Sequence, residues 1–198
     1  MSTTLNASTS SGLVQSADTS GTLELQSNGT TQLTVASTGA YGTLKSGTAV
    51  ASTSGTSIDF TSIPSWAKRI TVMFQGVSLN STASLLIQLG TGNTVFTTSG
   101  YLSTGVAAVA GGNSLVSSTS GFIEYLTSAA GVWSGQMVIT NINGNNWVSS
   151  HVGKYSTGAI CSGAGDVSLG AVLTAVRITT SSGTDTFDAG TINIIYEG

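Results

Sequence analysis

Hydrophobic residues recur at every second position along most of the chain, rather than every third or fourth. Ile70, Val72 and Phe74 alternate with Thr71, Met73 and Gln75, the pattern of a strand that buries one face. Met73 is the position whose side this pattern leaves open. Gly or a Ser/Thr cluster interrupts nearly every apolar run before a third helical turn, so an all-β fold is expected. The one stretch with helical character, Val106 to Ala110, is too short to matter. Strands are expected at Ser57 to Phe60, Arg69 to Val77, Leu85 to Gly90, Phe122 to Thr127, Ser134 to Ile142, Trp147 to Gly153, Val167 to Leu169, Ala175 to Thr179 and Thr191 to Glu197. Their spacing, with turns of Gly, Ser and Asn, favours a jelly-roll-like antiparallel β-sandwich over an up-and-down barrel.

Ahead of these lie three shorter candidates, Leu13 to Ala17, Thr22 to Ser27 and Thr31 to Ala36. Leu23 and Leu25 point to one side of their strand, as do Leu33 and Val35, and Asn28-Gly29 between the last two strands is a hairpin turn signal. An isolated hairpin with so few large apolar side chains is marginal in water, so these four residues are expected to pack against something else. The Ser/Thr/Gly-rich stretch from Thr38 to Gly55 reads as a connection. A boundary is therefore placed near residue 50, giving an N-terminal β-hairpin arm (1–50) and a C-terminal sandwich domain (51–198).

Composition sharpens this reading. Ser, Thr and Gly number 32, 31 and 26, nearly half of the 198 residues, while charged residues are only 7%. Mean hydropathy is nevertheless positive, at +0.28, which separates the chain from solvated disordered segments. Net charge is −3, and the five basic residues, Lys45, Lys68, Arg69, Lys154 and Arg177, are scattered, so the basic face of a nucleic-acid binder is missing. No apolar run approaches the ~18 residues of a membrane-spanning helix, and the N-terminus lacks a secretory pattern, so synthesis in the cytoplasm without membrane insertion is expected. Cys161 is the single cysteine, which excludes an intrachain disulfide and a cysteine-built zinc site.

Catalytic chemistry is hard to assemble from what remains. A hydrolase of the Ser or Cys type needs a nucleophile, a base and an orienting group, and His151 is the one imidazole, in an alternating strand-like run that suits a structural role. Gly163-Ala164-Gly165-Asp166-Val167-Ser168 fails the dinucleotide pattern at its last position. Asp185 and Asp188 lack calcium-loop spacing and read as turn formers that bond nearby backbone amides. No enzyme activity, cofactor or metal site is expected. Tyr101, Trp147 and Tyr155, in or beside polar Gly-rich stretches, are the candidates for stacking on a sugar or anchoring a protein. Trp66 and Trp133 read instead as caps of the core at strand entrances.

Two sets of residues carry a resemblance. Ser16-Ala17-Asp18-Thr19-Ser20-Gly21-Thr22-Leu23-Glu24-Leu25-Gln26, followed by Gly29-Thr30-Thr31-Gln32-Leu33-Thr34-Val35, resembles the opening of many tailed-bacteriophage tail-fibre proteins. Ser57-Ile58-Asp59-Phe60-Thr61-Ser62-Ile63-Pro64-Ser65-Trp66-Ala67-Lys68-Arg69-Ile70-Thr71-Val72 and the closing segment Thr184 to Glu197 are similar to a module of phage fibre and other virion proteins.

The resemblance implies a structural virion protein: a homotrimeric tail appendage, its arm attached to the baseplate or another virion protein and its sandwich contacting a host surface glycan or protein. A short tail fibre suits the chain length. Sparse charge and small residues suit close subunit contacts, where an unpaired buried ion is costly. There is no collagen-like run or long β-helical repeat, so a depolymerase is not expected. The alternatives are a capsid decoration, cement or head-fibre protein and, from another class, a soluble carbohydrate-binding lectin.

Overall fold

The computed structural model describes residues 23–27, 29–36, 39–40, 44–156 and 158–198. The chain divides into two compact units, Met1–Thr43 and Leu44–Gly198. In the first, β1 (Leu23–Ser27), β2 (Thr30–Ala36) and β3 (Gly39–Ala40) form a three-stranded antiparallel sheet. Ser27 pairs with Thr30 across a two-residue turn in which Gly29 takes φ +73°, a conformation that costs glycine little. The register opposes Leu23 to Val35 and Leu25 to Leu33. What the side chains of these four residues pack against lies outside the described residues, as does the expected strand at Leu13 to Ala17.

The second unit is all-β among its described residues and folds as two antiparallel sheets. Its strands are β4 (Lys45–Ser46), β5 (Val50–Ala51), β6 (Ser57–Phe60), β7 (Arg69–Leu79), β8 (Leu85–Gly92), β9 (Val95–Phe96), β10 (Leu102–Val109), β11 (Gly112–Ser118), β12 (Phe122–Glu124), β13 (Trp133–Asn143), β14 (Asn146–Tyr155), β15 (Ala159–Ser168), β16 (Ala175–Thr180) and β17 (Phe187–Glu197). The large sheet runs β11-β10-β15-β14-β13-β7-β17-β4, with β5 also pairing with β17. The small sheet runs β12-β8-β16-β6, with β9 beside β8. From β6 onward the chain passes repeatedly between the two sheets, so their inner faces close over one core.

β7 shows how the pattern makes the strand. Ile70, Val72 and Phe74 are buried, then the inward phase shifts to Val77 and Leu79. The shift comes at Gly76, which takes φ +65° where the pairings to β13 and β17 both slip register. This is a β-bulge, which adds one residue and flips the alternation. Facing it, Gly190 takes φ +102°, and a Cβ there would lie 2.6 Å from the Gly76 carbonyl. Met73, left open by the pattern, is half-buried on the outer face.

Several strands differ from expectation. Val106 to Ala110 is not helical but forms the end of β10 and the following turn. β11 and most of β15 were not expected at all. Their inward residues, and those of β10, are mostly small: Ser103, Gly105 and Ala107 on β10, and Cys161, Gly163 and Gly165 on β15. Bulk from elsewhere fills the space, since a Cβ on Gly163 would strike the His151 ring and one on Gly165 would come within 3.0 Å of Phe122. An alternation with a bare inner face does not read as a buried strand.

The compact unit begins at Leu44, ahead of the boundary expected near residue 50. Within the stretch read as a connection, Lys45–Ser46 and Val50–Ala51 pair with β17, and Ser52 is fully buried, its amide donating to Gly190 O at 2.9 Å and its hydroxyl to Ala189 O at 2.8 Å.

Candidate functional site

The aromatic residues singled out for receptor contact are placed differently by the fold. Tyr101 is fully buried edge-on against Phe122, with ring centroids 5.0 Å apart, and its hydroxyl accepts the Leu89 amide at 2.7 Å. Burial pushes its phenol well above the ordinary range. Trp147 is buried inside β14. Neither ring presents a face to solvent, which corrects their reading as contact residues. Loops rich in Gly and Ser surround them in sequence because the bulk they supply is used inward. Tyr155 is half-buried and meets Tyr125 edge-on, centroids 5.7 Å apart, over the bare backbone of Gly131. Trp133 begins β13 in the core and packs edge-on with Phe74, while Trp66 is half-buried against Tyr196 just before β7.

A second set of polar groups lies in the interior. Glu124 is fully buried on β12 with neither carboxylate oxygen hydrogen-bonded, and burial holds its pKa well above the carboxylate range. His151, on β14, has both ring nitrogens unpartnered and is pushed down to about 4 by burial. Burial raises the Cys161 thiol to about 11, so at neutral pH it is a thiol rather than a nucleophilic thiolate. All three groups are buried. Among the described residues no cluster of three or more His, Cys, Asp or Glu side chains is placed to hold a metal ion. Asp185 accepts the Ala83 amide at 3.0 Å and Asp188, within β17, accepts the Ser78 hydroxyl, so each ties down a segment distant in the chain instead of bonding the nearby backbone amides expected of a turn former.

A polar arrangement emerges on the outer face of the small sheet, where Arg177 and Asp59 are partly exposed and Gln88 and Leu86 are buried. Register aligns Gln88 of β8, Arg177 of β16 and Asp59 of β6 in one row, with Leu86, Thr179 and Ser57 in the next. Arg177 grips Asp59 through two parallel bonds, Nε to Oδ1 and Nη2 to Oδ2, both 2.8 Å, and its guanidinium lies 4.0 Å from the centroid of the Phe96 ring. Paired on one side and stacked on the other, the head group is fixed without any ligand. The Asp59 bond raises the Arg177 pKa further, so its charge is permanent. Gln88 is held by donating from Nε2 to Ser120 O at 2.9 Å, and Thr179 donates to Thr56 O at 2.9 Å.

Above these rows runs a groove of about 360 Å³, bounded by Ser120 and by the Thr180 to Gly183 turn. Its walls offer hydroxyls, an amide and a guanidinium whose charge Asp59 neutralises. Such a lining can hydrogen-bond a neutral polyhydroxylated molecule and does not favour an anion. Sequence reasoning missed the site because its members come from four elements far apart in the chain. The period-two position of Arg177 between Val176 and Ile178 was its only local signal.

Comparisons with protein-family models, with curated proteins and with solved structures find no significant match.

Proposed function

We propose that this chain is a structural virion protein, the short tail fibre of a tailed bacteriophage. In this reading the N-terminal segment docks to the baseplate or another virion protein. A jelly-roll-like sandwich, held in a homotrimer, meets the host surface. The residues of the N-terminal hairpin and of the Ser57 to Val72 and Thr184 to Glu197 segments support the fibre assignment by their resemblance. The observation that carries the host-contact part is the preorganised, hydroxyl-rich groove around Arg177, Asp59 and Gln88. It suits a surface saccharide, and multiple copies on one particle would multiply weak single-site contacts.

Arg177→Ala removes the fixed guanidinium at a half-exposed position, so the chain should fold while glycan binding by the full chain on an array falls about tenfold or more. Unchanged glycan binding in Arg177→Ala would remove the groove from the reading. Gold-labelled antibody against the chain is expected on tails of intact particles; label on heads would transfer the protein to the capsid decoration class.

A further inference from the structure

The described residues include ten exposed large hydrophobics, and four of them, Leu102, Leu115, Val152 and Ile160, lie on the outward face of β10, β11, β14 and β15 at one end of the large sheet. Register puts Leu115, Val106, Ser162 and Val152 in one outward row, with Ile160 in the row beside it and Leu102 two rows away on the other side of the same face. Isolated exposed apolar residues are ordinary, but a contiguous set on one face marks a contact surface. Beside the Leu115 row lies a row of small residues, Ser117, Thr104, Ala164 and Ser150. The first three line a recess of about 420 Å³. The face thus carries both a ridge and the hollow to receive one.

Its charges have the same self-matching layout. On the outward face of these four strands the charged residues are Lys154 and Asp166, of opposite sign and both exposed. Lys154 sits in the Ala108–Ile160 row at one end and Asp166 opposite Leu102 at the other. Neither is in an ion pair, the two pairs among the described residues being Arg69–Glu197 and Arg177–Asp59. The outermost strand here, β11, has no charge, no proline and no bulge, the devices by which sheet edges normally keep other chains away.

The geometry points to a second copy of this chain as the occupant, docked face to face with its strands reversed about a twofold axis. Reversal exchanges the two ends of the face. The Leu115 ridge of each copy then lies over the Thr104–Ser117–Ala164 recess of the other. Lys154 of each copy lies at the end that holds Asp166 in the other. A polar ligand would not repay the exposed Leu and Ile, and a charged partner would find no net charge to match. This contact is independent of the proposed host-contact groove, which lies on the other sheet.

The experiment is solution mass of the full chain by light scattering, for wild type, Leu115→Glu, Lys154→Asp, Asp166→Lys and the double swap. All three positions are exposed, so folding, checked by circular dichroism, should persist. Wild type is expected as a dimer, or as a hexamer if threefold assembly also operates. Leu115→Glu should weaken the twofold contact about tenfold or more, giving monomers or trimers respectively. Each single charge reversal should weaken it and the double swap restore it. A wild-type monomer, a wild-type trimer, or a mass unchanged in Leu115→Glu overturns the inference. A wild-type trimer would do so while leaving the threefold reading standing, and a dimer would do the reverse.

Discussion

His151 and Glu124 are buried without hydrogen-bond partners, and each is stable inside only in its uncharged form. For His151 the folded pKa lies near 4 against an ordinary 6.5, so between these values the unfolded chain binds a proton that the folded chain does not. Stability therefore falls as pH drops from 6.5 to 4, by about 3 kcal/mol in total for this one group. Glu124 works in the opposite sense. Its folded pKa is raised, so its contribution is full below the ordinary value of 4.5 and is lost as pH climbs toward the folded value. Glu124→Gln keeps the shape of the neutral acid and removes the titration. Urea unfolding at pH 8 should find Glu124→Gln more stable than wild type, and at pH 4 nearly equal; a variant equally destabilised at both would refute the neutral buried acid. In the sequence, the alternating run already placed His151 on a strand. Glu124 gave no signal, since only the closure of the second sheet over β12 decides that a carboxylate between Ile123 and Tyr125 is sealed.

β15 is the element whose inner face the sequence conceals. Cys161, Gly163 and Gly165 turn inward, and the volume left bare by the two glycines is taken by rings carried on other strands. A Cβ on Gly163 would strike both the His151 ring and the Thr104 carbonyl, and the carbonyl belongs to the neighbouring β10, which cannot retreat without breaking its pairing. Gly163→Ala should therefore cost about 2 kcal/mol or more, as overpacking in a tight core does. Gly112→Ala, at the start of β11 with nothing within 4 Å of its added Cβ, is the matched control and should be nearly neutral. Thermal melts of the two variants check this, and equal effects would mean that the glycine is not a cradle. The same reasoning explains which elements were legible. β6, β7, β13, β14 and β16 carry large residues on the face they bury. By contrast, β10 and β15 bury small residues, while the outward face they share with β11 displays large ones such as Leu102, Leu115 and Ile160.

At the scale of the molecule, the sandwich draws its first strands from a stretch whose composition looks like a linker. Residues 45–52 add backbone bonds to β17 and a buried hydroxyl to the core, so a chain starting at residue 44 should melt at a higher temperature than one starting at residue 53. Equal melting points would show that β4 and β5 contribute nothing to the unit. Sequence alone determined the class of structure: period-two hydrophobicity, punctuated by Gly and Ser/Thr clusters, leaves no face that a helix could bury. It also determined the Asn28-Gly29 hairpin, because that turn requires a residue at home with positive φ. The tertiary structure decided what the site is. Alternation shows that a side chain lies on one of two faces but not which neighbour shares its row. Cross-strand register set Gln88, Arg177 and Asp59 side by side, and the closing of two sheets over one core took Tyr101 and Trp147 out of solvent.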